Sequence, residues 1–153
     1  MAEPISVRII TPEEVLYEGR AAFLRMPGIE GEFGVFPGHQ PMMTVVKTGE
    51  LKIIEDHSEH YLFVSGGFVE VTPDSVVVLA DVAERVENID PKKVEEARAR
   101  AQEALERNAG DQAAAAALER ALFQMKLHEA QQHRRHSRDD LASHIQQPPM
   151  EQS

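Results

Sequence analysis

The chain of 153 residues contains no cysteine. Disulfide bonds and thiolate metal sites are therefore excluded, and the fold must be stabilised by the burial of side chains alone. The sequence also lacks a run of about 18 apolar residues, the length that spans a bilayer. Residues 1–6 have neither the basic nor the apolar region of a signal peptide. We expect a soluble protein, one domain or a small domain with an appendage, that stays in the compartment where it is made.

Basic residues are scarce in the N-terminal half. Residues 1–84 contain 5 Lys and Arg against 14 Asp and Glu, a balance of −9, whereas residues 85–153 contain 11 against 12, a balance of −1. Nucleic-acid binding depends on basic residues that neutralise phosphates. The acidic half therefore argues against a nucleic-acid partner, and its charge favours solubility.

Motifs that carry catalysis or ligand chemistry are also missing. The glycines of residues 28–34 have the spacing GxxGxxG, but a phosphate-binding loop needs a following helix, and here a Pro-Gly turn and a strand follow. His128 and the histidines of residues 133–136 stand beside arginines that repel a divalent cation. The acids Glu30 and Glu32 have no apolar surroundings that would separate their pKa values. We therefore predict no catalytic residue and no metal site.

Short strand-like segments follow one another from residue 4 to residue 84. Ile5, Val7 and Ile9 recur with the period of a strand that has one buried face. Val76–Ala80 is apolar at every position, which predicts a strand covered on both faces. Many short strands separated by turn residues favour an antiparallel β-sandwich or flattened barrel. The predicted strands are Ile5–Ile10, Val15–Gly19, Ala22–Met26, Met42–Val46, Leu51–Ile54, Tyr61–Val64, Phe68–Val71 and Val76–Ala80, with a hairpin turn at Ser65–Gly67.

Residues 28–41 stand out because they contain four glycines, two prolines and two phenylalanines. Pro37 and Gly38 suit the two central positions of a type II turn, the second of which requires a positive φ. Such a stiff, exposed loop would present Glu32 and His39 for recognition. From composition alone, the simpler interpretation is that both side chains are merely solvated.

A helical period replaces the strands after Arg85. Asp90 and Pro91 have the sequence of a helix start, and Asp111 can cap a second helix. Gly110 suits a left-handed helix end, so the two helices should form an antiparallel hairpin. The expected buried positions are Val94, Ala97, Ala101, Ala104 and Leu105 in the first helix, and Leu118, Ala121, Leu122 and Met125 in the second.

Apart from Val94, Leu105, Leu118, Leu122 and Met125, these positions are alanine, and an alanine methyl contributes much less than a large aliphatic side chain, which is worth about 1.5–3 kcal/mol. The hairpin should therefore dock weakly, either as a releasable switch or as an ordinary helical cap. After Ala130 the apolar period ends. We expect three units: a β-sandwich over 1–86, a helical hairpin over 87–130, and a polar, disordered tail over 131–153.

Four segments, in order, resemble the epsilon subunit of bacterial F-type ATP synthase. They are Gly31–His39 (GEFGVFPGH), Lys47–Leu51 (KTGEL), Tyr61–Val71 (YLFVSGGFVEV) and Val78–Asp81 (VLAD), and the similarity extends from Ile5 to Arg107 and more loosely to His128. The resemblance implies a ten-stranded antiparallel β-sandwich followed by two helices. It also implies a non-catalytic rotor subunit, present once per complex, at the cytoplasmic face of the bacterial inner membrane.

The resemblance further implies particular partners. The sandwich would bind the gamma subunit and stand on the c-ring loops, so that proton flow turns the three together, and Glu32 and His39 match the positions that face the c-ring. The hairpin could extend along gamma to the alpha and beta subunits and inhibit ATP hydrolysis. Its candidate contact residues are Arg120, Lys126, Arg134 and Arg135. The membrane would be contacted only indirectly, through the complex.

Some members of this family bind ATP through an Ile/Leu-Asp-x-x-Arg-Ala motif at the first helix. This chain keeps Asp90 but has Lys93 at the arginine position, and lysine cannot make a planar bidentate contact. A shifted match supplies Arg98 but has glutamate for aspartate. Asp90, Lys93 and Arg98 are therefore the candidate ATP residues, and these departures favour a subunit without a cofactor.

Two other functions compete with the rotor subunit. One is a free-standing β-sandwich that binds a ligand and carries a helical appendage. The other is a hydrolase that uses Glu32 and His39, which would require turnover by the isolated protein. A rotor subunit should co-purify with gamma, whereas a ligand-binding module should not.

Overall fold

The structure, a computed structural model, describes residues 3–145. Within them, eight strands form a sheet that folds over on itself, and two long helices follow. The strands are β1 (Ile5–Ile10), β2 (Val15–Ala21), β3 (Phe23–Gly28), β4 (Gly31–Val35), β5 (Met42–Val45), β6 (Gly49–Ile54), β7 (Glu59–Val71) and β8 (Ser75–Arg85). A short 3-10 turn (Val86–Asn88) leads to α1 (Pro91–Arg107) and α2 (Gln112–Ile145).

The strand order is β2-β1-β8-β7-β6-β3-β4. The remaining strand, β5, also pairs with β7. All pairs are antiparallel except β1 with β8, which is parallel and departs from the expected antiparallel sheet. The first half of β7 pairs with β6 and its second half with β5, so β7 and β8 pass through both layers of the sandwich. Counting their halves separately accounts for the expected ten strands, and the predicted β-sandwich followed by two helices is confirmed.

The core lies between the two layers and follows the period of the strands. Ile5, Val7 and Ile9 of β1 are fully buried, as their alternation predicts. They belong to one apolar cluster with residues of β3, β6, β7 and β8, among them Leu24 and Leu51. A single cluster that joins strands of both layers holds the sandwich together.

The prediction of a hairpin turn at Ser65–Gly67 is wrong, because these residues lie in the middle of β7. Gly66 and Gly67 have φ angles of +75° and +114°, and the pairing with β8 keeps one register on both sides of them. The core-facing residues are Leu62 and Val64 before the two glycines but Val69 and Val71 after them. The glycines therefore let β7 change the face that it presents to the core as it crosses between layers.

The glycine-rich stretch is part strand and part turn. Gly31–Val35 forms β4, in contrast to the predicted loop. The predicted Pro37-Gly38 turn is confirmed, because Gly38 has a φ of +87° and the His39 N–H donates to the Phe36 carbonyl at 3.2 Å. The Gly38 N–H also donates to the Pro73 carbonyl at 2.7 Å. This bond fixes the turn against the one between β7 and β8.

The helix starts are confirmed and one helix end is not. The Asp90 carboxylate accepts the Lys92 N–H at 3.0 Å, and the Asp111 carboxylate accepts the Ala114 N–H at 3.0 Å. Gly110 does not take a left-handed conformation. The link between the helices is closed instead by the side chain of Asn108, which accepts the Gly110 N–H at 3.1 Å.

The helix α2 is longer than predicted. It continues to Ile145, so the expected disordered tail is wrong for residues 131–145, and residues 146–153 lie outside the described part of the chain. Beyond Ala130, polar contacts with the sandwich replace the apolar period. Leu122 is 53% exposed rather than buried, and the large buried residue of α2 is Leu127.

Candidate interaction surfaces

An apolar row crosses the outer face of one layer of the sandwich. Val45 on β5 pairs with Phe68 on β7, Phe68 pairs with Leu79 on β8, and this row continues through Ile10 on β1 to Val15 on β2. Directly paired residues share a face of the sheet, so the five side chains lie side by side. With strands about 4.8 Å apart, the row is about 19 Å long. We call these five residues the apolar row.

The apolar row is open to solvent in the single chain. Phe68 is 56% exposed, Leu79 53% and Val15 46%. The sequence predicts that Val76–Ala80 is covered on both faces, but only Val76, Val78 and Ala80 are buried here. That prediction is wrong for the isolated chain. A contiguous exposed apolar patch is typical of a protein–protein interface.

The predicted polar rim consists of Glu32, which lies next to the β3–β4 turn, and His39, which follows the Pro-Gly turn after β4. Glu32 is exposed on β4, and within residues 3–145 it takes part in no ion pair. His39 lies one residue after the Pro-Gly turn. Its Nδ1 is 2.7 Å from the Gln40 carbonyl, which can only accept, so Nδ1 carries the proton and Nε2 is the acceptor in the neutral ring. Both residues lie on stiff backbone, as the sequence predicts for a recognition rim, although their role stays a prediction.

The helical hairpin covers the outer face of the other layer. Phe63 of β7 is fully buried there, in an apolar cluster with Val86, Ile89, Val94, Ala121 and Leu127. Only Val94 and Leu127 are large buried side chains supplied by the helices. The small size of this cluster agrees with the alanine-rich stripes, and weak docking stays a prediction.

Polar contacts extend the hairpin interface toward the end of α2. The Gln124 amide donates to Glu84 of β8 at 3.3 Å. Burial raises the pKa of the Glu84 carboxyl, and the Gln124 hydrogen bond partly opposes that shift. The Arg134 guanidinium lies 3.7 Å from the centre of the Tyr61 ring and 3.6 Å from the Glu50 carboxylate. The contacts of Arg134 could not be found in the sequence, because α2 and β7 are distant along the chain.

The four predicted regulatory residues are not equivalent in this structure. Arg134 faces the sandwich, whereas Arg135 and Lys126 are exposed and Arg120 is half-buried. The Lys126 ammonium lies 5.8 Å from the ring of Phe123 on the same helix. Of the four, Arg134 alone has a contact with the sandwich among the described ion pairs and cation–π pairs. Their contacts with other subunits stay predictions.

The three ATP candidates already have intramolecular partners or lie exposed. Asp90 caps α1, Lys93 is exposed, and Arg98 pairs with Glu95 on the same helix. Arg98 also donates to Gln102 at 3.2 Å. ATP binding therefore stays a prediction. Among residues 3–145, no group of three or more His, Asp or Glu is placed to hold a metal ion.

A polar network closes one side of the sandwich. The Tyr17 hydroxyl of β2 donates to Glu55, which also accepts from Ser58 at 3.2 Å and lies 3.4 Å from His60. The Tyr17 hydrogen bond holds the pKa of the Glu55 carboxyl below its usual range, and burial together with Glu55 raises the pKa of Tyr17. The network joins β2 to the β6–β7 turn.

Comparison with known proteins gives the family. A family model described as the beta-sandwich domain of the ATP synthase delta/epsilon chain matches residues 4–86. Over 103 residues the chain is 42% identical to "ATP synthase epsilon chain 2" of Ralstonia nicotianae, and the match covers 67% of this chain and 74% of that relative. The chain therefore belongs to the ATP synthase delta/epsilon chain family.

Within that family the chain is of the epsilon type, a non-catalytic subunit of the rotor stalk, as the resemblance implies. This assignment replaces the ligand-binding module and the hydrolase considered above. Within the described range 3–145, no helix is both long enough and apolar enough to cross a membrane.

Two solved structures share the fold. One is a chain of the Euglena gracilis mitochondrial ATP synthase (OSCP/F1/c-ring), with a TM-score of 0.61, 21% identity, and coverage of 84% of this chain and 79% of that chain. The other is a chain of the Tetrahymena thermophila mitochondrial ATP synthase (central stalk and c-ring), with a TM-score of 0.54, 17% identity, and coverage of 83% and 98%. At these identities the likeness concerns the fold alone.

Proposed function

We propose that this subunit binds the gamma subunit through the apolar row and the c-ring loops through the polar rim. It would thereby couple proton-driven rotation to ATP synthesis at the cytoplasmic face of the bacterial inner membrane. The observation that carries the proposal is the apolar row, which is exposed in the single chain although the sequence is apolar on both faces of β8. A partner that covers the row completes the burial.

The energetics favour a protein partner for the row. Burying one large apolar side chain contributes about 1.5–3 kcal/mol, and five such side chains lie side by side. Two residues before Ile10 on β1, and so on the same face of the sheet, Arg8 pairs with Glu18 of β2 at 3.8 Å. An apolar centre flanked by charges is the usual arrangement of a specific interface.

Co-purification with gamma tests this surface. Phe68→Asp places a carboxylate at the centre of the row and should weaken gamma binding about tenfold to hundredfold, because the charge would have to be desolvated. Leu122→Asp is the matched control, since Leu122 is similarly exposed (53% against 56% for Phe68) but lies on α2. Equal gamma binding by both variants, with both folded, would place the gamma interface elsewhere.

The polar rim suits the c-ring loops if those loops carry basic and amide groups, because charge complementarity sets docking and register. Glu32→Lys in the assembled synthase should lower ATP-driven proton pumping while soluble ATP hydrolysis continues. Glu30→Lys is the control, since Glu30 is also exposed but lies in the β3–β4 turn. Uncoupling by neither variant, or by both equally, would remove Glu32 from the c-ring interface.

We further propose that the C-terminal helices inhibit ATP hydrolysis when they leave the sandwich and reach the catalytic subunits. The small apolar cluster under the hairpin supports this, because an element held by few contacts is released at modest cost. A chain that ends at Asn88 should assemble normally and give a complex with faster ATP hydrolysis. Normal assembly with unchanged hydrolysis would exclude inhibition by the helices.

A further inference from the structure

The segment of α2 beyond Leu127 has no large buried apolar residue of its own. Leu127 is the last buried residue of α2, and the helix continues for 18 residues to Ile145, about 27 Å. Leu141 and Ile145 are 64% and 81% exposed. Whatever keeps this segment on the sandwich must therefore be polar.

Two arginines supply those polar contacts. The Arg134 guanidinium stacks on Tyr61 at 3.7 Å from the ring centre and approaches a Glu50 oxygen at 3.6 Å. One turn further, Arg138 lies 3.8 Å from Glu59. The side chains of Arg134 and Glu50 are only 30% and 14% exposed, so their attraction is less screened than that of a surface pair.

The sandwich side of this contact is organised by its own strands. The Tyr61 hydroxyl donates to Glu59 at 2.6 Å. Lys52 of β6 pairs with Tyr61 across the two strands, and its ammonium lies 5.5 Å from the centre of the Tyr61 ring. Arg25 donates to Glu50 at 3.1 Å. These contacts are made within β3, β6 and β7, so Tyr61, Glu50 and Glu59 are held in place for the helix.

The contact is also electrostatically unbalanced. Arg25 and Arg134 share the single carboxylate of Glu50, and the Nε atoms of both arginines are buried without an acceptor in the described part of the chain. Buried donors without partners cost free energy and offset part of the attraction. Such a contact should hold the helix only while the ionic attraction is strong.

We propose that Arg134 and Arg138 form an ionic clamp with Tyr61, Glu50 and Glu59 that holds the end of α2 on the sandwich and opens as ionic strength rises. The clamp is a property of the isolated chain and does not depend on the proposed function. It holds Arg134 against the sandwich and leaves Arg135 exposed, so any partner that binds Arg134 must first open the clamp.

The experiment measures the distance between the end of α2 and the sandwich in the full chain. Because the chain has no cysteine, His57→Cys and Ser137→Cys give two unique labelling sites, both exposed. Pulsed electron spin resonance of the labelled pair reports the docked and released populations. Raising the salt from about 0.1 M to about 1 M shortens the Debye length from about 10 Å to about 3 Å, and the released population should grow.

Arg134→Ala should lower the ratio of docked to released molecules about tenfold, since a partly desolvated cation–π contact is worth up to about that factor. Arg134→Lys should restore only part of it, because lysine lacks the planar stacking group. Arg135→Ala is the matched control and should change nothing. Tyr61→Leu should reproduce Arg134→Ala without altering the helix sequence, and the two together should add little.

Each result decides the proposal. Equal effects of Arg134→Ala and Arg135→Ala would mean that helix propensity rather than the clamp is being measured, and would overturn it. A docked population that does not change with salt, or full additivity of Tyr61→Leu and Arg134→Ala, would also overturn it. Failure of gamma to bind the chain would leave the clamp unaffected, so the two proposals fail separately.

Discussion

Gly67 of β7 pairs with Ala80 of β8, and replacing it with alanine tests the bend that carries β7 across both layers. Its φ is +114°, and an added Cβ would lie 1.9 Å from the Leu79 carbonyl oxygen and 2.9 Å from Ala80 Cα. Both obstacles are backbone atoms, so no side-chain rotation can relieve them. The two strands would have to separate.

The size of the destabilisation by Gly67→Ala follows from comparison with two other glycines. Gly38 has a φ of +87° but no atom within 4 Å of an added Cβ, so Gly38→Ala should cost only the left-handed backbone penalty, about 1–2 kcal/mol. Gly67→Ala adds the separation of the strands, and overpacking alone costs about 1–3 kcal/mol. The expected total is about 2–5 kcal/mol. Gly110→Ala, with no positive φ and its nearest atom at 3.5 Å, should be neutral or stabilising by about 0.4–1 kcal/mol.

Urea unfolding of the full chain, followed by far-ultraviolet circular dichroism, measures these differences. With a slope of about 2 kcal/mol per molar urea, Gly67→Ala should lower the midpoint by about 1–2.5 M and Gly38→Ala by about 0.5–1 M. Phe68 follows Gly67 directly, so Gly67→Ala should also weaken gamma binding while Gly38→Ala should not. If Gly67→Ala costs no more than Gly38→Ala, the close approach of β7 and β8 is wrong.

Three further substitutions test the ionisable groups and a helix cap. Burial raises the pKa of Glu84, so the stability linked to its protonated form is lost as pH rises through the folded pKa. Glu84→Gln, which can still accept from Gln124, should therefore raise the melting temperature at neutral pH. The difference in melting temperature between acid and neutral pH should become smaller. The Tyr17 hydrogen bond lowers the pKa of Glu55, so the stability that this bond contributes is present above the unfolded pKa of Glu55 and is lost as pH falls through its folded pKa. Tyr17→Phe should lower the free energy of unfolding by about 1 kcal/mol at neutral pH, measured in urea. The loss of stability between neutral and acid pH should become smaller, and an unchanged loss would contradict the role of that bond. Asp111→Ala removes the cap of α2 and should cost the hairpin about 1 kcal/mol, visible as earlier loss of the helical dichroism on heating.

The features that the sequence predicts correctly depend on residues close together in the chain. The caps at Asp90 and Asp111 and the turn at Pro37-Gly38 each involve a residue and the backbone two or three positions away. The burial of β1 follows from its own alternation. Local chemistry of this kind can be derived before any long-range contact is known.

The features that the sequence does not predict depend on pairing between distant segments. A Gly-Gly pair signals a positive φ, but the sequence does not say whether the chain reverses there or approaches another strand, and at Gly67 the approach of β8 decides. The sequence predicts too short an α2, because the contacts of its last turns with Tyr61 and Glu50 are polar and leave no apolar period. The family resemblance supplied the function, whereas the apolar row required the register of five strands.

The strand β7 joins the two surfaces that the proposals use. Before its glycine pair, Phe63 faces the hairpin, and after the pair, Phe68 faces outward in the apolar row on the other layer. Hydrogen bonds to β6, β5 and β8 hold the β7 backbone along both halves, whether or not α2 is docked. Release of the hairpin therefore uncovers Phe63 without moving Phe68, because a close-packed core lies between the two faces. In the proposed function, the subunit would therefore stay bound to gamma through one layer while the helices on the other layer dock and release.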